Sequence, residues 1–311
     1  MKATRIHAFG EPEVLIYEEA PRPEPGPGEA LVRVHGAGVN PVDWKTRKGA
    51  GVAGQFGALP AILGWELAGE IVAIGSGEGG FAVGDRVYAL SRFPAPAAAY
   101  AEFAVVPVAE LARAPVALDL VRAGAVPLVA LTAWQALFDA AELKAGETVL
   151  VHAAAGGVGH LAVQLAAWKG ARVIATASAG NRAFVEALGA AEVIDYRATP
   201  FETIAREVDV VIDAVGGDVR DRSWSTLKPG GILVALNGAL AADAVPSDRR
   251  GLRWLVKPNG AQLANLATLI DSGHVKPFVE HVFPLAEAAA AHRLSEQGHV
   301  RGKIVLDATG G

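Results

Sequence analysis

The sequence predicts an α/β protein: a doubly wound parallel sheet in its second half, following a smaller, irregular β-rich domain. Three observations carry this. Strand, glycine turn, helix and strand follow one another from Val149 to Ala177, within the roughly 30 residues of a dinucleotide-binding unit. Helical and strand patterns then alternate as far as about residue 255, as a parallel sheet with crossovers requires. Before about residue 120 the chain is divided instead into short valine-rich runs by Pro and Gly. At 311 residues it also exceeds what one hydrophobic core usually supports.

In the first part, Ala30–His35, Gly69–Gly75 and Gly84–Leu90 read as short strands bounded by turn signals. The proline-rich stretch Pro21–Gly28 is a connector. Val149–Val151 is the first buried strand of the second part, and His160–Ala166 begins a helix. Between them the spacing is Ala154-x-Gly156-x-x-Gly159, so alanine replaces the first glycine of the usual fingerprint. Glycines let a backbone approach a pyrophosphate closely, and free N–H groups at a helix start supply partial positive charge. Ala171–Ala177, Asp209–Val215 and Gly230–Leu236 follow as buried strands, Ala261–Ile270 as a helix and Lys303–Leu306 as a final strand.

The end of the second strand of that unit bears on the nucleotide. An NAD ribose is held by Asp or Glu about 20 residues past the glycines. Here the end reads Thr176-Ala177-Ser178-Ala179-Gly180-Asn181-Arg182, and the first acid is Glu186. Ser178 and Arg182 suit a 2′-phosphate, which points to NADPH. The other reading is a polar loop with a solvated arginine.

Composition excludes several classes. A net charge of −5 with no basic run argues against nucleic acid. The start, Met1–Gly10, lacks the apolar core of a signal peptide, and no apolar stretch is long enough for a membrane span. With no Cys there is no disulfide, thiolate zinc site or cysteine nucleophile. A cytoplasmic location is the expectation. None of the eight His forms a His-x-x-x-His pair, so no metal is expected.

Six motifs in order now carry a resemblance: Val39–Lys45, Gly84–Val87, Leu131–Trp134, Ala154–Gly159, Leu188–Tyr196 and Gly298–Leu306. The chain resembles the medium-chain dehydrogenases/reductases along essentially its whole length, and most the zinc-independent quinone reductase branch. The resemblance implies a Rossmann domain (123–258) inserted into a GroES-like β-rich catalytic domain formed by 1–122 and 259–311. It also implies cofactor and substrate in the interdomain cleft, and a homodimer that extends the Rossmann sheet. Zinc alcohol dehydrogenases carry a catalytic cysteine where this chain has Pro41-Val42-Asp43, and Gly-His-Glu where it has Gly64-Trp65-Glu66.

Without a metal to polarise a ketone, the chemistry moves toward acceptors already electrophilic, quinones and α,β-unsaturated carbonyls. By resemblance Asn40 and Asp43 are the catalytic candidates, near nicotinamide and substrate. Asn40 also reads as a turn former before Pro41, and Asp43 as a cap of the helix that follows. The resemblance places Thr132 at the nicotinamide half. It places Ala155, Gly156, Gly157, Val158 and Gly159 around the pyrophosphate, Ser178, Arg182 and Tyr196 around the 2′-phosphate, and Asn237 and Gly238 at the nicotinamide end. Trp44, Trp65 and Tyr88 read as core. Three functions follow: an NADPH-dependent quinone reductase, an NADPH-dependent alkenal, enone or enoyl reductase, and a non-catalytic NADPH-binding redox sensor or structural protein. The chain has no tyrosine between Trp44 and Tyr88, where polyketide enoyl reductases often carry one.

Overall fold

Which strands pair with which, rather than how many there are, positions the candidate site. The computed structural model describes residues 1–77 and 80–310; Glu78, Gly79 and Gly311 of the expected catalytic domain lie outside the described residues. Two units divide the chain: Met1–Leu131 with Lys257–Ser272 and Phe278–Gly311, and Thr132–Val256 with Gly273–Pro277. Residue 122, the expected first boundary, falls inside a short helix of the first unit.

In chain order the first unit supplies β1 (Lys2–Ile6), β2 (Leu15–Glu19), β3 (Glu29–Val39), α1 (Pro41–Arg47), β4 (Ala61–Ile62), β5 (Glu66–Ile74), β6 (Arg86–Leu90), β7 (Phe103–Pro107), β8 (Ala112–Arg113) and α2 (Leu120–Ala123). Helix α3 (Pro127–Trp134) crosses the division. The second unit holds β9 (Thr148–Val151), α4 (Gly157–Trp168), β10 (Arg172–Ala177), α5 (Arg182–Ala187), β11 (Glu192–Asp195), β12 (Val208–Asp213), α6 (Gly217–Ser223), β13 (Leu227–Ala235) and β14 (Arg250–Arg253). The chain then returns with α7 (Gly260–Asp271), β15 (Val279–Pro284), α8 (Ala288–Glu296) and β16 (Lys303–Asp307).

The first unit is β-rich, as expected. One sheet runs β15-β16-β3-β5-β6-β8, with β7 also on β3, and a second runs β2-β1-β4. Strand β16 lies antiparallel to β3 with Ile304 opposite Val39. Ile6, Val32, Leu67, Val87, Leu285 and Leu306 share one core, so both ends of the unit's chain bury apolar surface together. Helix α2 sits so close to β3 that a Cβ on Gly36 would lie 2.1 Å from Val121 O. Glycine is there for space.

The second unit is the predicted doubly wound sheet. Its strands are parallel in the order β11-β10-β9-β12-β13-β14, and the order reverses between β9 and β12. Ligands in such sheets bind outside the carboxyl ends of the strands at that reversal. Leu150, Ile174, Ile194, Val211 and Leu233 build its core.

His152, just past β9, is a polar rivet in this unit. It is buried, with Nδ1 3.1 Å from Thr176 Oγ1 and Nε2 2.9 Å from Ser223 Oγ. Ser223 already donates to Val219 O (2.6 Å), so its oxygen must accept from His152 Nε2–H, and Nδ1 accepts from Thr176. Burial, with Arg222 nearby, pushes the imidazole down to about 4. The folded state therefore binds fewer protons than the unfolded one between that value and the unfolded value of about 6.5, and this contribution to stability is lost as pH falls. The expected outcome, read by urea unfolding, is that the stability advantage of wild type over His152→Gln shrinks as pH falls through that window.

Candidate active site

The glycine turn joins β9 to α4, and its geometry differs from the sequence expectation at one residue. The position with positive φ is Ala153 (51°), one before the alanine that replaces the first fingerprint glycine. The left-handed turn is thus made by a non-glycine residue, and Ala154 packs inside with its N–H on Thr176 O (3.0 Å). Gly159 is irreplaceable for another reason: a Cβ there would stand 2.3 Å from Ala153 O. Gly156 is the N-cap of α4, in extended conformation, and no side chain caps the helix. The first N–H groups of Gly157, Val158 and Gly159 therefore lack intrahelical acceptors, a ready anion site backed by a 12-residue helix. Ala155 is buried beside them.

The carboxyl ends of β10 and β11 bring together the next expected set. Ser178 follows β10 and accepts a hydrogen bond from Asn181 Nδ2 (3.2 Å). Arg182 starts α5, half-exposed, with Glu186 one turn on at 3.6 Å. Tyr196 follows β11, exposed, with its N–H on Ala177 O (3.3 Å). Sequence reasoning missed Arg197, whose guanidinium lies 5.6 Å from the Tyr196 ring centre. Asp195, at the end of β11, accepts from the Arg197 N–H through Oδ1 (3.1 Å). Asn237 and Gly238 follow β13. Asn237 Nδ2 donates to Val215 O (3.0 Å), tying the end of β13 to that of β12, and Gly238 has φ 73°. Thr132 is buried near the end of α3.

Asn40 and Asp43 stand at the start of α1 in the first unit. Asn40 is the N-cap, Pro41 takes the first turn, and Asp43 Oδ2 accepts from Asn40 N–H (2.6 Å). This is the capping contact that the spacing allowed. Both side chains are buried. Asn40 Nδ2 donates to Glu66 Oε1 (2.7 Å), and Lys303 Nζ bonds Asn40 Oδ1, Val39 O (3.0 Å) and Glu66 Oε1 (2.9 Å). Glu66 Oε2 accepts from Leu128 N–H (2.7 Å). Burial pushes the Asp43 carboxyl up to about 7, against the Asn40 hydrogen bond and the Lys303 charge. Two surface cavities, of about 270 and 320 Å³, also lie in this unit. The smaller draws on Phe56, Gly57, Ala58, Pro60 and Pro96, but neither is lined by Asn40 or Asp43.

Comparison with known proteins decides the family. Residues 26–116 match the alcohol dehydrogenase GroES-like domain, and 188–306 match the family described as zinc-binding dehydrogenase. The chain is 35% identical to the NADPH-dependent alkenal/one oxidoreductase of Arabidopsis thaliana, over 98% of this chain and 79% of that one. A solved quinone oxidoreductase from Coxiella burnetii is 39% identical and superposes with a TM-score of 0.93 over 99% of both chains. The Escherichia coli quinone oxidoreductase solved with NADPH is 29% identical, with a TM-score of 0.88 over 99% of this chain and 100% of that one. The chain belongs to the quinone oxidoreductase-like branch of the medium-chain dehydrogenases/reductases.

As a member of this branch, the protein places Trp65 in its core, where zinc-using relatives are expected to carry histidine. The indole N–H donates to Ala95 O (2.8 Å), and the ring meets Phe56 and Phe93 edge-on at 5.9 and 5.8 Å. Tyr88 is equally buried, with its hydroxyl on Leu263 O (2.6 Å). Asp85 holds its own turn through Ala82 N–H (2.9 Å) and pairs with Arg113. Among the described residues no three His, Cys, Asp or Glu side chains gather as metal ligands. Sequence reasoning quoted Glu66 and Lys303 within motifs but gave them no role. Their signal was two oppositely charged residues inside apolar strand patterns, where a charge must find a partner.

Removing one member of a buried ion pair leaves the other uncompensated, which costs about 3–5 kcal/mol. Lys303→Met is expected to lower unfolding stability by that amount in denaturant titration. The double variant Lys303→Met with Glu66→Gln is expected to lose less than Lys303→Met alone.

Proposed function

We propose that the protein is an NADPH-dependent oxidoreductase that reduces quinones without zinc. The observation that carries the cofactor is the uncapped start of α4, where Gly159 keeps the turn open and three N–H groups await an anion. The end of β10 adds the choice of nucleotide: Ser178 and Arg182 stand where an NAD site would carry a carboxylate. The solved relative bound to NADPH, and the relative whose name specifies NADPH, support the same assignment. Quinone as acceptor is supported by the names of both solved relatives.

In this reading Gly156, Gly157, Val158 and Gly159, with Ala155 behind them, hold the pyrophosphate, and Ser178, Arg182 and Tyr196 hold the 2′-phosphate. Thr132, Asn237 and Gly238 serve the nicotinamide half. NADPH supplies a hydride, and the quinone leaves as the hydroquinone after taking up a proton. The Asn40–Asp43 turn of α1 is the substrate-side element. The Asn40 side chain is held by Glu66 and Lys303 and the Asp43 side chain by the Asn40 N–H, so they act by keeping a fixed polar surface.

Zinc independence is part of the proposal. The chain has no Cys, and Trp65 is a core aromatic where the zinc branch carries a ligand. A homodimer is supported by β14, which among the described residues pairs with β13 alone and ends the sheet. No helix among the described residues is long and apolar enough to cross a membrane, and we place the protein in the cytoplasm. The second reading, reduction of alkenals or enones, is favoured by the Arabidopsis relative's name.

The deciding assay is loss of nicotinamide absorbance with NADPH or NADH against quinones, short enals, enones and simple ketones. Turnover on quinones with NADPH is expected. Activity confined to enals or enones replaces the acceptor, and silence with NADPH still bound favours a non-catalytic NADPH-binding sensor or structural protein. Arg182→Ala and Ser178→Asp are expected to weaken NADPH more than NADH by about 1–3 kcal/mol, the worth of a charge-assisted bond. Equal losses for both nucleotides remove the 2′-phosphate assignment. Light scattering is expected to give twice the chain mass of 32.0 kDa.

A further inference from the structure

A second buried polar chain runs behind the Asn40–Asp43 turn. Arg47, near the end of α1, is fully buried. Its Nη2 donates to Glu296 Oε1 (2.6 Å), its Nε to Gly10 O (3.0 Å), and its Nη1 faces His292 Nδ1 at 3.3 Å. The other ring nitrogen of His292, on α8, lies 3.1 Å from the Tyr100 hydroxyl. That hydroxyl in turn interacts with the Asp43 carboxyl. Asp43 Oδ1 has no well-formed hydrogen bond, although the group is wholly buried.

Donor and acceptor chemistry gives this chain a direction. A guanidinium only donates, so His292 Nδ1 must accept. Burial and the Arg47 charge hold His292 neutral, far below its usual range. A neutral imidazole has one N–H, which is then on Nε2 and donates to Tyr100. The oxygen of Tyr100 is occupied by that bond, and its own proton is left to point at Asp43. The opposite order sets N–H against N–H between Arg47 and His292.

We propose that Arg47, His292 and Tyr100 form a one-way donor chain that ends on Asp43, making Tyr100 and His292 positioning residues for the Asn40 turn. The proposal rests on the reading that this turn serves the substrate side. Asp43 links the chain to Asn40, because its Oδ2 accepts the Asn40 N–H. The groups facing Asp43 are Lys303 on β16, Glu66 on β5 and Tyr100, while Arg47 and Glu296 face His292. Lys48 and Glu11 complete the charged cluster around Glu296 and Arg47. Loss of the Tyr100 hydroxyl removes the donor that the chain offers to the buried Asp43 carboxylate and so favours its protonated form. A protonated carboxyl is a weaker acceptor for the Asn40 N–H, and the turn loosens.

The test begins on the wild-type full chain. Proton–nitrogen NMR of the imidazoles is expected to show His292 neutral and protonated on Nε2 at neutral pH; a proton on Nδ1, or a charged ring, overturns the chain. Carboxyl carbon NMR is then compared between wild type and Tyr100→Phe, where Asp43 is expected to titrate at higher pH. An unmoved Asp43 titration overturns the proposal even if activity falls. With quinone and NADPH, Tyr100→Phe and His292→Leu are expected to lose roughly tenfold or more in kcat while the Kd for NADPH stays within about twofold. His292→Gln, which keeps an N–H toward Tyr100, is expected to recover most of that loss. Equal activity of all these variants removes the positioning role. If wild type turns over no acceptor, the functional reading fails, and the tautomer and titration still decide the chain.

Discussion

The carboxylate of Glu66 is the constraint on which the first unit depends. A buried charge is costly unless it is paired and hydrogen-bonded, and Glu66 meets that demand with groups from three distant places. Asn40 Nδ2 brings the start of α1, Leu128 N–H the start of α3, and Lys303 Nζ the start of β16. Because Lys303 also reaches Val39 O, the same ion pair fixes the register of β16 on β3. Such a pair adds little net stability over an apolar substitute of the same volume. What it specifies is placement, and the turn that carries Asn40 and Asp43 inherits that placement.

The two units use unsatisfied polar groups in opposite ways. In the second unit the bare N–H groups at the head of α4 are left without side-chain caps, which is the condition for taking an anionic ligand. In the first unit polar side chains are taken into the interior and joined to one another, from Glu296 through Arg47 and from Lys303 through Glu66. One arrangement stores binding capacity, and the other stores geometry. Both follow from the cost of leaving a buried donor or acceptor alone.

Much of this was legible in residues close in sequence. Ala30–His35, Gly69–Gly75, Val149–Val151, Ala171–Ala177 and Lys303–Leu306 all read as strands because each is an apolar run between turn signals, and each became one. The cofactor turn was legible because glycine spacing is local, although the left-handed residue proved to be Ala153. Strand β14 was not, since Arg250-Gly251-Leu252-Arg253 has no alternation and lies mostly exposed at a sheet edge. In β15 Val279, His281 and Phe283 share the more covered face while Val282 lies outward beside Glu280, so period alone misleads at that position. The buried partners were illegible for a different reason. Arg47 and Glu296, or Asn40 and Lys303, are 249 and 263 positions apart, and no spacing rule joins them. The family resemblance supplied Asn40 and Asp43 but not Tyr100 or His292, whose roles exist only once α8 is packed on α1.

Strand β16 lies in the sheet between β15 and β3, yet its Lys303 is 264 positions from Val39. On β3, the same edge is shared: β7 covers Glu29–Arg33, and β16 covers Gly36–Val39. During synthesis from the N-terminus, the second stretch therefore emerges from the ribosome long before its partner. The contiguous run from 132 to 256 has its whole parallel sheet in hand first, while Gly36–Val39 waits with unpaired N–H and C=O groups that any passing strand can read. Vectorial translation thus leaves Gly36–Val39 without this edge partner for most of synthesis, and the arrival of residues 303–307 is the event that seals it.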